Sequence, residues 1–405
     1  MKEKIIKKVS NDNGTPFYLF DEDEFVKNYK HLEYSFRSIY PNYHIAYSYK
    51  TNYMPYVCKK VFELGGYAEV VSAMEYHLAK KIGYSNEKII LNVPDKGEIL
   101  EEHILHGGII NVDSIYEAEQ ICKIANNNRD NILKIGIRVN ADVGTGFVSR
   151  FGICVEDGSI SQVFDLLKTQ KNIKVVGLHC HISRARGLEA WKRRIVNLIG
   201  VADKFFDGNP EYIDVGSGMY ADMNPTLKAQ FDNVPTYLEY AEAVAGIMYK
   251  RYGDSESMPI LFSEPGTTVI SRYMSLITSV VQTKHINEKT FATVDASFDN
   301  VGAICRMKKL PYNVISMNFD RTYAVEKPDI VGYTCLEQDC LYRELPESIA
   351  PEDIIEFENV GGYSIVNKAP FIRPNCPVYC FSSDGKVEVI KRKETFDDVF
   401  STYQF

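Results

Sequence analysis

The sequence has no apolar run long enough to cross a membrane, and its start, MKEKIIKKVSNDNG, lacks the long apolar core of a secretion signal. It has no excess of positive charge either. The 46 Lys and Arg stand against 54 Asp and Glu, and a net charge of −8 argues against nucleic acid or an anionic membrane as the main partner. The nine cysteines include no CxxC pair, which is typical of free thiols in a reducing compartment. We therefore expect a cytoplasmic protein without nucleic-acid or membrane partners.

No G-x-G-x-x-G motif follows an early strand, which argues against an open dinucleotide-binding sheet. Instead, short β-rich apolar runs alternate with helical patterns whose apolar residues recur at i, i+3 and i+4. The eight runs are residues 43–49, 66–71, 88–93, 108–112, 133–139, 175–180, 211–216 and 259–264. Strands that alternate with helices in this way predict an α/β fold, a parallel (β/α)8 TIM barrel.

After about Ser271 the pattern changes to short strands and turns, which predicts a C-terminal antiparallel β domain. The strand-like segment TPFYLFD at 15–21 is expected to pair with it. The predicted domains are thus a barrel over 22–270 and a β domain built from 1–21 and 271–405.

The stretch HIAYSYKTNY (44–53) places a charged amine, Lys50, at the end of a strand-like apolar run. A single lysine at such a position is most often a solvated surface residue. In a parallel barrel, however, the carboxyl ends of the strands form the functional face, and several chemically useful residues end predicted strands there. These residues are Lys50, His179, His181, Gly216, Ser217, Gly218 and Glu264.

With GYTCLEQD and NVGGYS in the β domain, these motifs form an ordered set. The chain resembles the enzymes of the alanine-racemase-type fold that depend on pyridoxal 5′-phosphate (PLP). It is most similar to their diaminopimelate, ornithine and arginine decarboxylase branch, over almost its whole length. The resemblance implies a PLP-dependent amino-acid α-decarboxylase that acts as a homodimer with its active site at the subunit interface.

Three barrel residues take roles from this resemblance. YSYKTN resembles the family's YAxKxN, so Lys50 binds PLP covalently, and an amine desolvated in an apolar pocket is suitably nucleophilic. HCHIS resembles HxHIG, so His181 stacks on the pyridine ring. SEPGT resembles EPGR, so Glu264 faces the pyridine nitrogen and strengthens the electron sink. A carboxylate there favours decarboxylation over racemisation.

The phosphate side departs from the family pattern. DVGSGM resembles a GGG phosphate loop, with Gly216, Ser217 and Gly218 as its residues, although GSG alone is an ordinary turn. After Gly266, the arginine of EPGR is replaced by Thr267. Arg184 stands where a small hydroxyl residue is usual. We hypothesise that Arg184 supplies the missing positive charge, since a guanidinium binds phosphate through two parallel bonds.

The β-domain motifs predict the substrate side. In relatives, the residue matching Cys335 reaches across the dimer interface to the reaction intermediate. Asp339 matches the same motif, and the residue matching Tyr363 contacts phosphate or substrate. Without the resemblance, Cys335 would be interpreted as a buried strand cysteine and Tyr363 as a turn aromatic. Leu336 replaces an acidic residue that binds a distal amine in many relatives.

The family's RPxLY segment is not recognisable either, and Arg306 is assigned part of its role. These departures predict a modified or conjugated amino acid from a biosynthetic pathway as the substrate.

Other interpretations remain open. His179 and His181 share a strand face and could bind a metal, but a third ligand motif is missing, so we expect no metal. The basic cluster WKRRI (191–195) is interpreted as a solvated helix face. The competing functions are an amino-acid racemase or epimerase, a non-catalytic regulator, and a barrel metal hydrolase. The retained set of site residues argues against the regulator.

Overall fold

A computed structural model of the chain describes residues 1–302, 304, 307–317 and 321–405. The chain divides into two compact units, each considered by itself. The barrel unit comprises Tyr29–Tyr220 and Asn233–Thr268, and the sheet unit comprises Met1–Asn28, Ala221–Asp232 and Val269–Phe405. The domain boundaries expected from the sequence stay a prediction. Among the described residues, no helix combines the length and apolar character that crossing a membrane requires.

The barrel unit contains a closed parallel barrel of eight strands, as the sequence predicts. With elements numbered along the chain, its strands are β2 (Tyr43–Ser48), β3 (Tyr67–Val70), β4 (Ile89–Leu91), β5 (Ile109–Val112), β6 (Leu133–Asn140), β8 (Ile173–His179), β9 (Tyr212–Asp214) and β10 (Ile260–Ser263). They pair in the order β5-β4-β3-β2-β10-β9-β8-β6, and pairing of β5 with β6 closes the ring. The short strand β7 (Ile153–Cys154) extends β6.

Helices follow most of these strands. They are α3 (Pro55–Glu63), α4 (Ala73–Ile82), α5 (Ile99–Leu105), α6 (Ile115–Asn127), α7 (Ser159–Lys168), α8 (Leu188–Phe205) and α10 (Tyr237–Tyr252). Sequence signals explain where several begin. The hydroxyls of Ser72 and Ser114 cap α4 and α6 by accepting N–H bonds from Glu75 and Glu117. The barrel interior is packed rather than hollow, since Tyr67, Tyr212 and Phe262 form one apolar cluster with Ala46 and Ile90.

The sheet unit is built around one nine-stranded sheet. Its strands are β1 (Phe17–Asp21), β11 (Met274–Ile286), β12 (Lys289–Val294), β13 (Tyr312–Ile315), β14 (Asp329–Val331), β15 (Cys340–Tyr342), β16 (Ile354–Phe357), β17 (Val378–Phe381) and β18 (Val387–Lys391). β1 pairs with β11 and β17, so the predicted union of the two chain ends is confirmed. The sheet is mainly antiparallel, but the pairs β1–β17 and β12–β14 are parallel.

The remaining helices are α1 (Lys2–Asn13), α9 (Pro225–Lys228), α12 (Phe298–Val301) and α13 (Phe396–Phe400) in the sheet unit, with α2 (Glu22–Arg37) and α11 (Thr267–Ile270) spanning the unit boundaries. The sequence did not predict α1. It buries Ile5, Ile6 and Val9 against a core that includes Phe17 and Ile277.

Candidate active site

The strand-end lysine is paired with a buried carboxylate. Lys50 lies in a single 3-10 turn, Tyr49–Thr51, directly after β2. Its Nζ is 2.5 Å from Oε2 of Glu69 on the neighbouring strand β3, and the hydroxyl of Ser48 donates to the same oxygen. The Glu69 side chain is 1% exposed, whereas that of Lys50 is 36% exposed. The amine is therefore anchored yet still accessible to a small molecule.

A glycine brings the end of β10 against this turn. A Cβ at Gly266 would lie 1.9 Å from Oγ1 of Thr51, so only glycine allows this approach. The carbonyl of Pro265 also accepts a hydrogen bond of 3.3 Å from the Ser48 N–H. The EPG segment and the lysine turn are thus locked together at the carboxyl ends of β2 and β10.

Glu264, the residue after β10, is a buried carboxylate with a donor on each oxygen. Its Oε1 accepts from the amide of Asn92, and Nε2 of His179 lies 3.3 Å from its Oε2. Burial opposes the charge, but the attraction and hydrogen bond from His179 and the charge of Lys50 outweigh it. They hold the pKa of the Glu264 carboxyl below its usual value. The site therefore maintains an ionised carboxylate in a dry environment.

The loop after β9 lies against His181. The Ser217 N–H donates to Nδ1 of His181 over 3.2 Å, so the ring proton of the neutral imidazole is on Nε2. Burial lowers the pKa of His181 well below its ordinary value, and the ring is neutral at physiological pH. Gly216 has φ +59°, and a Cβ there would lie 2.6 Å from Cβ of His181. Gly218 also has a positive φ, +108°.

Asp214, at the end of β9, completes a buried polar cluster that the sequence did not reveal. Its Oδ1 accepts a 2.8 Å hydrogen bond from the Gly216 N–H, while burial and the charge of Glu264 raise its pKa well above the ordinary value. One ligand atom each from His179, Asp214 and Glu264 lies within 4.8 Å of the others. The argument that a third metal ligand is missing was therefore wrong, although the HxH motif contributes only His179. The absence of a metal stays a prediction.

Two departures from the family pattern lie at this rim. Arg184 is exposed, has a left-handed φ of 65°, and lies with its guanidinium 5.5 Å from the ring centroid of Phe147. Thr267 begins α11, directly after Gly266. Nothing in these positions tests whether Arg184 contacts phosphate, which stays a prediction.

The WKRRI segment at the start of α8 is not a solvated face, and that interpretation is wrong. Lys192 and Arg193 are exposed, but Trp191 and Arg194 are both fully buried. The Arg194 guanidinium lies over the Trp191 ring at 4.6 Å.

The predicted substrate residues belong to the sheet unit. Cys335 is exposed and Leu336 half-buried. Asp339 is buried, and its oxygens accept hydrogen bonds from the Phe298 N–H and from the N–H and hydroxyl of Thr334. This carboxylate therefore shapes the turn that carries Cys335.

Tyr363 and Arg306 are the other two predicted contacts in this part of the chain. Tyr363 is 41% exposed and adopts a left-handed φ of 57°. Arg306 lies outside the described residues.

Sequence reasoning missed three polar residues of the barrel site, namely Glu69, Asn92 and Asp214. Each lies within or directly after an apolar strand, in GYAEVV, KIILNV and EYIDVG. An isolated polar residue in such a strand needs a buried partner, which was the signal available.

Comparison with known proteins decides the family. The family model "Pyridoxal-dependent decarboxylase, pyridoxal binding domain" matches residues 24–271, more than half of the chain, and the corresponding C-terminal sheet domain matches residues 267–361. The chain belongs to the pyridoxal-dependent decarboxylases. PLP is the cofactor of this family, and the expected carboxy-lyase activity is confirmed at the family level.

Individual relatives agree with this assignment. The diaminopimelate decarboxylase of Methanothermobacter thermautotrophicus is 25% identical, covering 96% of this chain and 92% of the relative. That of Archaeoglobus fulgidus is 27% identical, covering 97% and 94%. The crystal structure of diaminopimelate decarboxylase from Helicobacter pylori in complex with L-lysine superposes with a TM-score of 0.83 at 23% identity, covering 98% of both chains. An arginine decarboxylase of Paramecium bursaria Chlorella virus has the same fold, with a TM-score of 0.73 at 19% identity.

The residues of the barrel rim fit PLP. The rim offers an accessible amine, a buried ionised carboxylate, a flat neutral imidazole and a glycine loop. These groups would suit the aldehyde, the pyridine nitrogen, the ring and the phosphate of the cofactor, respectively. All four groups occur in the barrel unit, at or just beyond the carboxyl ends of its strands.

Proposed function

We propose that this chain removes the α-carboxylate of an amino acid in a site built on Lys50 and Glu264. When bound, PLP supplies an electron sink for the electron pair that remains after carbon dioxide leaves. Lys50 holds the cofactor through its amine, and Glu69 orients that amine before binding. The observation that supports the proposal is an ion pair at the strand ends, in which the partly exposed amine of Lys50 contacts the buried carboxylate of Glu69.

The other rim residues hold the cofactor in place. Glu264, kept ionised by Asn92 and His179, favours a protonated pyridine nitrogen and so a stronger electron sink. The neutral imidazole of His181 would stack on the pyridine ring without adding a competing charge. Gly216, Ser217 and Gly218 form the proposed phosphate loop. The Gly218 N–H is the donor offered to the phosphate, because the other two N–H groups already donate to Asp214 and His181.

The phosphate receives further contacts from side chains outside this loop. Arg184 supplies a positive charge in place of the arginine that Thr267 replaces, and Gly266 keeps the EPG turn close. Tyr363 contacts the phosphate or the substrate. These are assignments by resemblance, and the exposure of Arg184 and Tyr363 leaves both side chains accessible to a ligand.

The substrate is proposed to be a modified or conjugated amino acid from a biosynthetic pathway. A half-buried leucine, Leu336, cannot bind a distal ammonium group, and the nearby carboxylate of Asp339 is occupied by backbone and hydroxyl donors. This turn therefore suits a substrate whose distal amine is masked or absent. Arg306 remains a proposed carboxylate contact.

We further propose that the protein is a cytoplasmic homodimer. Cys335 is exposed on the sheet unit, as expected of a residue that takes part in reprotonation in the site of a second copy. The eight cysteines of the described residues are all free thiols, which suits a reducing compartment.

The test is a visible absorbance spectrum of the purified protein before and after addition of amino acids and their side-chain conjugates, with carbon dioxide trapped from each. We expect a cofactor band that is lost in Lys50→Ala, and gas released from a masked amino acid but not from diaminopimelate. Ordinary turnover of diaminopimelate would contradict the substrate proposal. A spectral change without gas would indicate a racemase, and no band with added PLP would overturn the assignment of Lys50.

A further inference from the structure

The guanidinium of Arg194 is a buried cation that the proposed chemistry does not use. Arg194 is 0% exposed, on the inward face of α8, with its charge 4.6 Å from the Trp191 ring. Burying a guanidinium costs free energy unless its N–H groups are satisfied. Among the described residues its hydrogen bonds are all made to backbone carbonyls, none to a carboxylate.

These carbonyls come from two separate loops of the barrel rim. Nη1 donates to Val215 O at 2.6 Å and to Ser217 O at 3.1 Å, in the loop after β9. Nη2 donates to Ile182 O at 3.4 Å and to Ala185 O at 3.3 Å, in the loop after β8. One planar side chain thus joins the segment after His181 to the proposed phosphate loop. A planar guanidinium suits this role because its donors have a fixed fork geometry.

The geometry of the peptide group gives this anchoring a consequence. The peptide bonds of both loops are trans, so each N–H points opposite to the carbonyl of the same peptide unit. Holding the Ser217 carbonyl towards Arg194 turns the Gly218 N–H away from it. Holding the Ile182 carbonyl does the same for the Ser183 N–H. The Gly216 N–H, paired with the Val215 carbonyl, is already taken by Asp214.

We propose that Arg194 is a positioning residue for an oxyanion: it holds the two loops from behind so that the Gly218 and Ser183 amides face a phosphate group. The inference rests on the proposed function, because the oxyanion is the phosphate of PLP. The buried charge also adds positive potential behind the loop, which suits a site where Thr267 replaces an arginine.

The experiment compares PLP with pyridoxal, which lacks the phosphate, by equilibrium dialysis against the apo-protein. The variants are Arg194→Met, which keeps an unbranched buried side chain, and Arg194→Lys, which keeps the charge but loses the fork. Arg193→Met, exposed on the same helix, is the matched control. We expect Arg194→Met to weaken PLP binding about tenfold or more, with pyridoxal binding unchanged, because one set of phosphate donors is lost. Arg194→Lys should lie between it and the wild type.

An equal loss of affinity for both ligands would show that Arg194 only supports the fold, and would overturn the proposal. Thermal unfolding identifies variants that are not folded. If Arg194→Met does not fold, the Arg194→Lys variant is the test. If its ratio of PLP affinity to pyridoxal affinity equals that of the wild type, the proposal is overturned. A wild-type protein that does not prefer PLP to pyridoxal would instead contradict the phosphate loop of the proposed function.

Discussion

The amine of Lys50 and the carboxylate of Glu69 lie 2.5 Å apart at the ends of two neighbouring parallel strands, β2 and β3. This pair explains how a cation can end a buried strand. The Glu69 side chain is almost fully buried, so its charge requires the lysine and the hydroxyl of Ser48 as partners. The lysine is in turn held in one place before any cofactor arrives.

Glu69→Gln should therefore slow cofactor capture. The amide has the same shape but no charge, so the Lys50 amine loses its fixed position. We expect the rate of reaction with added PLP, followed by absorbance, and kcat/KM to fall about tenfold to a hundredfold. Glu63→Gln, which breaks the partly exposed ion pair with Lys60, is the control and should behave as the wild type. Unchanged capture by Glu69→Gln would mean that the ion pair does not orient the amine.

Asn92→Leu should shift the acid limb of the pH–rate profile. The Asn92 amide donates to Oε1 of Glu264 and stabilises its ionised form, so its removal raises the pKa of Glu264. Since the ionised form is the active one, activity is lost as pH falls through that pKa, and the limb moves to higher pH. A shift of about one to two pH units is expected in kcat. Asn197→Leu removes an exposed hydrogen bond from the side-chain amide to the carbonyl of Asp142, and it should leave the acid limb in place.

An acid limb of Asn92→Leu that coincides with that of the wild type would show that Asn92 does not set the charge of Glu264. A loss of activity that is uniform across pH would likewise contradict the argument, because it would point to misplacement rather than to a change of ionisation.

The barrel could be predicted from the sequence because each of its strands is a short apolar run, as expected where both faces are buried. Lys50 and Glu264 were found because the carboxyl ends of such strands share one rim. Helix α1 was missed because KEKIIKKVSNDN contains few apolar residues, and only packing in the sheet unit stabilises it.

The polar partners of the site could not be assigned from spacing alone. Glu69 and Lys50 are 19 residues apart, and Asn92 and Glu264 are 172 apart, so their contacts depend on strand order and register. Arg194 lies in a basic run that is ordinarily solvated. Its burial results from two loops whose carbonyls converge on one helix, and such convergence is a property of the folded chain.

Mixing two inactive variants should restore activity if the site is shared between copies. Lys50→Ala removes the amine that the barrel unit contributes to a site. Cys335→Ser removes the thiol that the sheet unit of the partner is proposed to contribute to it. In a mixed dimer one site is then free of both changes. We expect about a quarter of wild-type activity after subunit exchange, since half of the dimers are mixed and each has one intact site.

The control for this experiment mixes Lys50→Ala with Glu264→Ala. Both changes lie in the barrel unit, so every site of a mixed dimer carries one of them, and no activity should return. Failure of the first pair to regain activity, with mixed dimers shown by sedimentation, would place Cys335 in the site of its own chain or outside the site.

His103 should make the stability of the barrel unit depend on pH. The ring is fully buried; Nε2 lies 3.3 Å from the Ile109 carbonyl, and Nδ1 lies 3.2 Å from the Asn86 amide nitrogen. Because a carbonyl only accepts, Nε2 carries the proton and Nδ1 accepts from Asn86. Burial lowers the pKa of His103 to about 4. A proton added at Nδ1 would face the amide donor in a dry environment.

The unfolded chain therefore binds the proton more readily than the folded one. The stability linked to neutral His103 is fully present above pH 6.5 and is lost as pH falls from 6.5 through 4. The loss amounts to about 3 kcal/mol in the free energy of unfolding, measured by urea denaturation at several pH values. His103→Leu is less stable at neutral pH but should lack this part of the acid dependence. His106→Gln, three residues later and exposed, should retain it. Parallel acid profiles for the wild type and His103→Leu would show that the ring takes up a proton equally well in the folded and unfolded chain.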